Sequence, residues 1–122
     1  MTSPSLDARI DPDRLWRSLA AVSAFGGTDD GGLHRLAATA DDGRARDLVV
    51  AAARSAGCAV RVDRVGNVFC RRPGTDPEAA AVLMGSHLDS QPRAGRYDGV
   101  YGVMAGLEVL TALGAAGEPT RR

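Results

Sequence analysis

Apolar residues at Leu15, Trp16, Leu19 and Val22 recur at helical spacing. Asp11-Pro12 precedes them as a cap and first-turn proline, and Gly26-Gly27 follows as a stop, so a first helix is predicted between these signals. Thr39-Ala40-Asp41-Asp42 resembles a capping box ahead of the stripe Leu48, Val49, Ala52 and Ala53, and Gly57 ends a second helix. Then the period changes from helical to alternating. Val60 and Val62 interleave with Arg61 and Asp63, Gly66-Asn67 makes a turn, and Val68 to Arg71 follows, which predicts two tightly joined strands. Residues 24–32 and 73–79, rich in glycine, aspartate or proline, are expected as loops.

The run Ala81-Val82-Leu83-Met84 has the length and character of a buried strand. After it, Val100, Val103, Leu107 and Leu110 fall near one helix face, with Asp98 placed as N-cap or first-turn acid. Gly99, Gly102 and Gly106 lie in this third helix, where an interior glycine costs about 1 kcal/mol relative to alanine. Such a cost implies a packing reason: with Ala105 they make a shallow face that lets the helix approach the strand before His87 closely. With no repeat, low-complexity tract or linker, the chain reads as one domain.

At 122 residues and 44% hydrophobic content a core can form, and a formal net charge of zero with scattered arginines gives no nucleic-acid-binding patch. All fifteen basic residues are arginine. Met1 to Asp13 has no apolar signal region, so a cytoplasmic protein is expected, and the apolar run from Val100 to Leu113, which contains Glu108, is too short to span a membrane. Cys58 and Cys70 form no Cys-x-x-Cys pair and are expected as free thiols.

Chemistry concentrates in Gly85-Ser86-His87-Leu88-Asp89-Ser90 and Tyr97-Asp98-Gly99. In an extended segment His87 and Asp89 point to the same side, and the following helix start brings Asp98 toward them. Singly, such a histidine is an ordinary hydrogen-bonded residue and an aspartate before glycine an ordinary turn. Together, with ten residues between His87 and Asp98, they make a candidate metal site at the carboxyl end of a strand, with ligands suited to zinc, manganese or cobalt. A nucleotide site is disfavoured because Asp98 would meet a phosphate with negative charge, and no Gly-x-Ser-x-Gly elbow supports a serine hydrolase.

The stretch from Met84 to Leu110, with Gly-Ser-His-Leu-Asp-Ser-Gln-Pro, Gly-Arg-Tyr-Asp-Gly-Val and Ala-Gly-Leu-Glu-Val-Leu, resembles the metal-binding region of a zinc-dependent amidase family. That family holds N-carbamoyl-L-amino acid hydrolases (the hydantoinase/carbamoylase group), allantoate amidohydrolases and β-ureidopropionases, within the aminoacylase and carboxypeptidase-like di-zinc superfamily. Phe25-Gly26-Gly27, Gly32 to Ala37 and Val62 to Phe69 extend the similarity over nearly the whole chain. One departure is Ala94-Gly95 where relatives often carry paired glycines.

The resemblance implies an α/β fold: residues 1–122 as the amino-terminal portion of one di-zinc aminopeptidase-like catalytic domain, helices packed on a mixed sheet, without the lid and dimerisation domain. By the same resemblance His87 and Asp98 are metal ligands, Asp98 bridging two zinc ions that manganese, cobalt or nickel can replace, and Asp89 is the acid orienting the His87 ring. The general base, a Glu-Glu pair and two further histidines of that family have no counterpart here; the glutamates are Glu78, Glu108 and Glu118, and His34 is the other histidine. The implied activity is hydrolysis of linear amide or ureido C–N bonds in a small molecule by a homodimeric full-length enzyme. The alternatives are a truncated, catalytically silent fragment, or an aminoacylase or peptidase of the superfamily. No substrate-binding residue is assigned.

Overall fold

The computed structural model describes residues 9–122, so most of the amino-terminal stretch read for a signal lies outside the described residues. Three helices and one hairpin follow in the order α1 (Pro12–Ser23), α2 (Ala40–Ser55), β1 (Ala59–Val62), β2 (Val68–Arg71) and α3 (Val100–Ala116). The cap residues behave as their chemistry requires. Asp11 accepts from the Arg14 N–H at 2.9 Å, and Thr39 Oγ1 accepts from the Asp42 N–H at 3.4 Å. Gly57, at φ 82°, ends α2 in the left-handed conformation open to glycine.

Leu19 and Val22 of α1, Ala45 and Val49 of α2, Val100 and Met104 of α3, and Leu33 from the connecting loop form the core. Each large side chain fully buried there stabilises the fold by about 1.5–3 kcal/mol. The buried stripe of α3 is Val100, Met104, Glu108 and Ala112, while Val103 and Leu107 pack at its margin. Glu108 is 5% exposed, an acid on an otherwise apolar face. It is paired rather than stranded: Arg14 donates from Nε to Glu108 Oε2 at 2.8 Å and from its terminal nitrogen to Oε1 at 2.5 Å, and the Asp11 N–H donates to Oε1 at 2.9 Å. The start of α1 is thereby fastened to the middle of α3.

The hairpin is antiparallel, with Val60 opposite Cys70 and Val62 opposite Val68. Cys58 and Cys70 are free, as expected, and burial pushes both thiols up from their ordinary pKa. At the turn, Asp63 accepts from the Val65 and Asn67 main-chain N–H groups at 3.0 and 2.8 Å and from the Asn67 side chain at 2.8 Å. The Asn67 side-chain bond, foremost, holds the Asp63 carboxyl below its ordinary pKa. A depressed folded-state pKa contributes stability that is present above the unfolded value, about 3.9, and is lost as pH falls through the folded value. The protection of amides 64–67, their exchange rate relative to that of a free peptide at the same pH, is therefore expected to fall in that acid window in the natural chain and to be flat there in Asp63→Asn.

The expected strand at 81–84 is not formed. The run is irregular, with Val82 69% and Leu83 82% exposed, and no partner strand lies beside it among the described residues. A run of strand-like composition needs a neighbouring ladder to become a strand, since its main-chain donors and acceptors are otherwise left to solvent. Among the described residues the sheet is thus the two-stranded antiparallel hairpin, without the parallel pairing that a mixed sheet would add. Among the described residues no helix is long and apolar enough to cross a membrane.

Candidate functional site

The site begins with a strip of chain that alternates its side chains. Leu33 and Arg35 are fully buried while His34 and Leu36 are exposed. Leu33 is bridged on both sides, to Gly27 and to Ala94, exchanging main-chain hydrogen bonds with Ala94 at 2.9 Å in each direction. The glycine-rich loop read as plain connection is therefore one edge of a small three-segment weave. Arg35, the next buried residue after Leu33, carries the weave to the site: the Arg35 N–H donates to Ser90 Oγ at 2.8 Å and the Ser90 N–H donates to the Arg35 carbonyl at 2.7 Å.

Within the segment so held, Leu88 packs against the core and His87 and Asp89 point away from it together. His87 Nδ1 lies 2.9 Å from the main-chain carbonyl of Asp89 and 3.5 Å from its carboxylate. A carbonyl only accepts, so this bond selects the Nδ1–H tautomer and leaves the Nε2 lone pair free. Nε2 faces Asp98 Oδ1 at 3.9 Å. All three residues singled out in the sequence thus come together at an open position: the side chains of His87, Asp89 and Asp98 are 49%, 39% and 70% exposed. Contacts between groups this exposed contribute little to stability, so the cluster is not explained as a fold-holding ion pair.

Asp98 is not the N-cap of α3, as the spacing suggested. Gly99 takes that place at φ 70°, ψ −50° with no side-chain cap. The Val100 N–H donates to the Asp98 carbonyl at 2.8 Å, closing a three-residue γ-turn of the rare, strained positive-φ type. A carboxylate that caps no helix is free to face the imidazole. The glycine face expected on α3 lies against the segment leading to His87: a Cβ on Gly99 would fall on the His87 ring, one on Gly102 would lie 2.9 Å from Ser86 Cβ, and one on Gly106 would lie 3.5 Å from Met84 Cγ. Tyr97, beside Asp98, stacks on Trp16 of α1 at a centroid distance of 5.6 Å.

Two ligands on one zinc at about 2.0–2.2 Å in tetrahedral array stand about 3.4 Å apart. His87 Nε2 and Asp98 Oδ1 are half an ångström wider and both exposed, so small rotations suffice; the donor set fits a metal with two ligands. Among the described residues no group of three or more His, Cys, Asp or Glu side chains converges as a fuller set. Glu108 is bound by Arg14, and Glu118 lies 3.9 Å from Arg9. Sequence reasoning missed Arg35, whose only signal was a charge within Leu33-His34-Arg35-Leu36.

No family model matches the chain. It is 41% identical, over 99% of its length, to an N-carbamoyl-L-amino-acid amidohydrolase of Rhizobium meliloti, of which it covers 29%. It is 34% identical, over 93% of its length, to a ureidoglycolate hydrolase of Arabidopsis thaliana, of which it covers 24%. The crystal structure of a hydantoinase/carbamoylase family amidase from Burkholderia ambifaria superposes with a TM-score of 0.90 at 57% identity, covering 93% of this chain and 28% of that one. The chain thus spans between about a fifth and a third of the length of the relatives it matches. Helices, hairpin and site segment all lie within the matched region, and the chain is a homologue of the hydantoinase/carbamoylase family amidases.

Proposed function

We propose that the chain carries one side of the metal site of an amidohydrolase that cleaves linear amide or ureido C–N bonds, of the N-carbamoyl amino acid or allantoate type. The observation that carries this reading is the fixed His87 tautomer aiming Nε2 at an uncapped Asp98. His87 Nε2 and Asp98 would hold zinc, and Asp89 sets the ring's orientation through its carbonyl, with its carboxylate close behind. A bound zinc polarises the scissile carbonyl and lowers the pKa of an attacking water. The chain's own residues hold and orient; none of its glutamates is hydrogen-bonded into the site. Similarity to both a carbamoylase and a ureidoglycolate hydrolase supports a small ureido compound as substrate.

The 122-residue chain is expected to bind zinc weakly and to leave N-carbamoyl-L-amino acids uncleaved, because a catalytic zinc ordinarily has three protein ligands. In competition against a chromogenic chelator, His87→Ala and Asp98→Ala should each lower zinc affinity about tenfold or more, about 1.4 kcal/mol. Unchanged affinity in both variants would remove the assignment, and chelator-sensitive hydrolysis by the chain alone would remove the claim that it is silent.

A further inference from the structure

Among the described residues Arg35 is the largest fully buried side chain, and no carboxylate of theirs lies within salt-bridge distance of it. Its guanidinium instead donates to three main-chain carbonyls: Nε to Leu88 at 2.8 Å, and one terminal nitrogen to Val22 at 2.8 Å and Phe25 at 2.6 Å. Val22 and Phe25 lie at the carboxyl end of α1, where carbonyls lack partners within the helix and the helix dipole is negative. Burial pushes the Arg35 pKa down, while the carboxylates of Asp42, Asp41 and Asp89 pull it back up. Its other terminal nitrogen is buried without a hydrogen-bond partner among the described residues. A buried cation with an unpaired nitrogen is a poor choice for packing alone, where an apolar residue of similar volume serves as well or better.

The third carbonyl says what the cation does. Leu88 stands between His87 and Asp89, and the same arginine's main chain pairs with Ser90 on the other side. We propose that Arg35 is the positioning residue of the site, clamping Leu88 and Ser90 so that the Asp89 carbonyl meets His87 Nδ1 and Nε2 is turned to Asp98. This rests on the metal-site reading above for its purpose, but the clamp itself is a property of the metal-free chain. The guanidinium holds Nε and a terminal nitrogen in a fixed planar spacing, one aimed at Leu88 and the other at Val22 and Phe25, whereas lysine offers one compact ammonium on a flexible stem.

The test uses the full chain and Arg35→Lys, with long-range proton–nitrogen NMR of the imidazole rings at a pH where they are neutral; His34 is the sole other histidine to assign. The natural chain should show His87 mainly as the Nδ1–H tautomer. Arg35→Lys should show mixed tautomers and about tenfold weaker zinc binding. Ser90→Ala, which removes one bond of the clamp, should shift both readouts the same way by less. Val49→Ala, a core truncation on α2, should lower the melting temperature and leave the tautomer unchanged. A natural-like His87 ring and zinc affinity in folded Arg35→Lys, or in Ser90→Ala should the lysine variant not fold, would overturn the proposal. If the natural chain binds no zinc while the tautomer still depends on Arg35, the metal reading fails and the clamp stands.

Discussion

Gly99→Ala should lose zinc binding altogether while the chain still folds. Two independent effects converge on this residue. The γ-turn requires φ near the observed 70°, which an L-residue adopts at a cost of about 1–3 kcal/mol. The added methyl also occupies the place of the His87 ring, which must swing away because the helix main chain cannot yield. His87 is half exposed, so the ring escapes into solvent and most of the steric penalty is relieved by abandoning the site. The expected result is a loss of about 1–3 kcal/mol in chemical denaturation together with disappearance of the Nδ1–H preference and of zinc binding. The other glycines of the stripe provide the scale. Gly102→Ala meets Ser86 Cβ at 2.9 Å and should be mildly destabilising, whereas Gly106→Ala meets only an ordinary contact with Met84 and gains about 1 kcal/mol of helix propensity. A stability order other than 106, then 102, then 99 would show that the stripe does not set the approach of the site segment.

Arg14→Ala should be strongly destabilising although it lies outside the site. It leaves Glu108, 5% exposed, with one main-chain donor from Asp11 and no countercharge. Breaking a buried pair by deleting one partner costs about 3–5 kcal/mol; since Arg14 is 36% exposed and screened, about 3 kcal/mol is expected, or about 12 °C in melting temperature for a chain of this length. Glu108→Gln should be milder, because the guanidinium it releases can turn to water. The discriminating variant is the double replacement Arg14→Met with Glu108→Leu, which fills the same space without charge and should recover most of the loss. Failure of the double variant to recover would mean that α1 and α3 depend on the hydrogen bonds rather than on the balance of charge.

What was legible in the sequence was local. Asp11, Thr39 and Gly57 announce helix ends because capping is decided within four residues, and the change from helical to alternating period at Val60 is likewise a local signal. The meeting of His87, Asp89 and Asp98 was legible because few residues separate them. The apolar run at 81–84 misled because a strand is a property of two segments, and its composition says nothing about whether a partner is present. The pairing of Glu108 with Arg14, 94 residues away, and of Arg35 with Leu88, 53 residues away, was not legible because nothing local announces either partner. The γ-turn escaped because Asp-Gly before an apolar helix reads equally as a cap.

The weave of Gly27, Leu33 and Ala94, continued by Arg35 and Ser90, has a consequence for how the chain acquires its geometry. The bonds that aim the site join positions some 55 to 60 residues apart, so loop closure must precede them and local helix formation cannot supply them. The two candidate ligands are near neighbours along the chain, yet their alignment waits on the last long-range contacts to form. During refolding, metal capture would mark the end of the process rather than nucleate it.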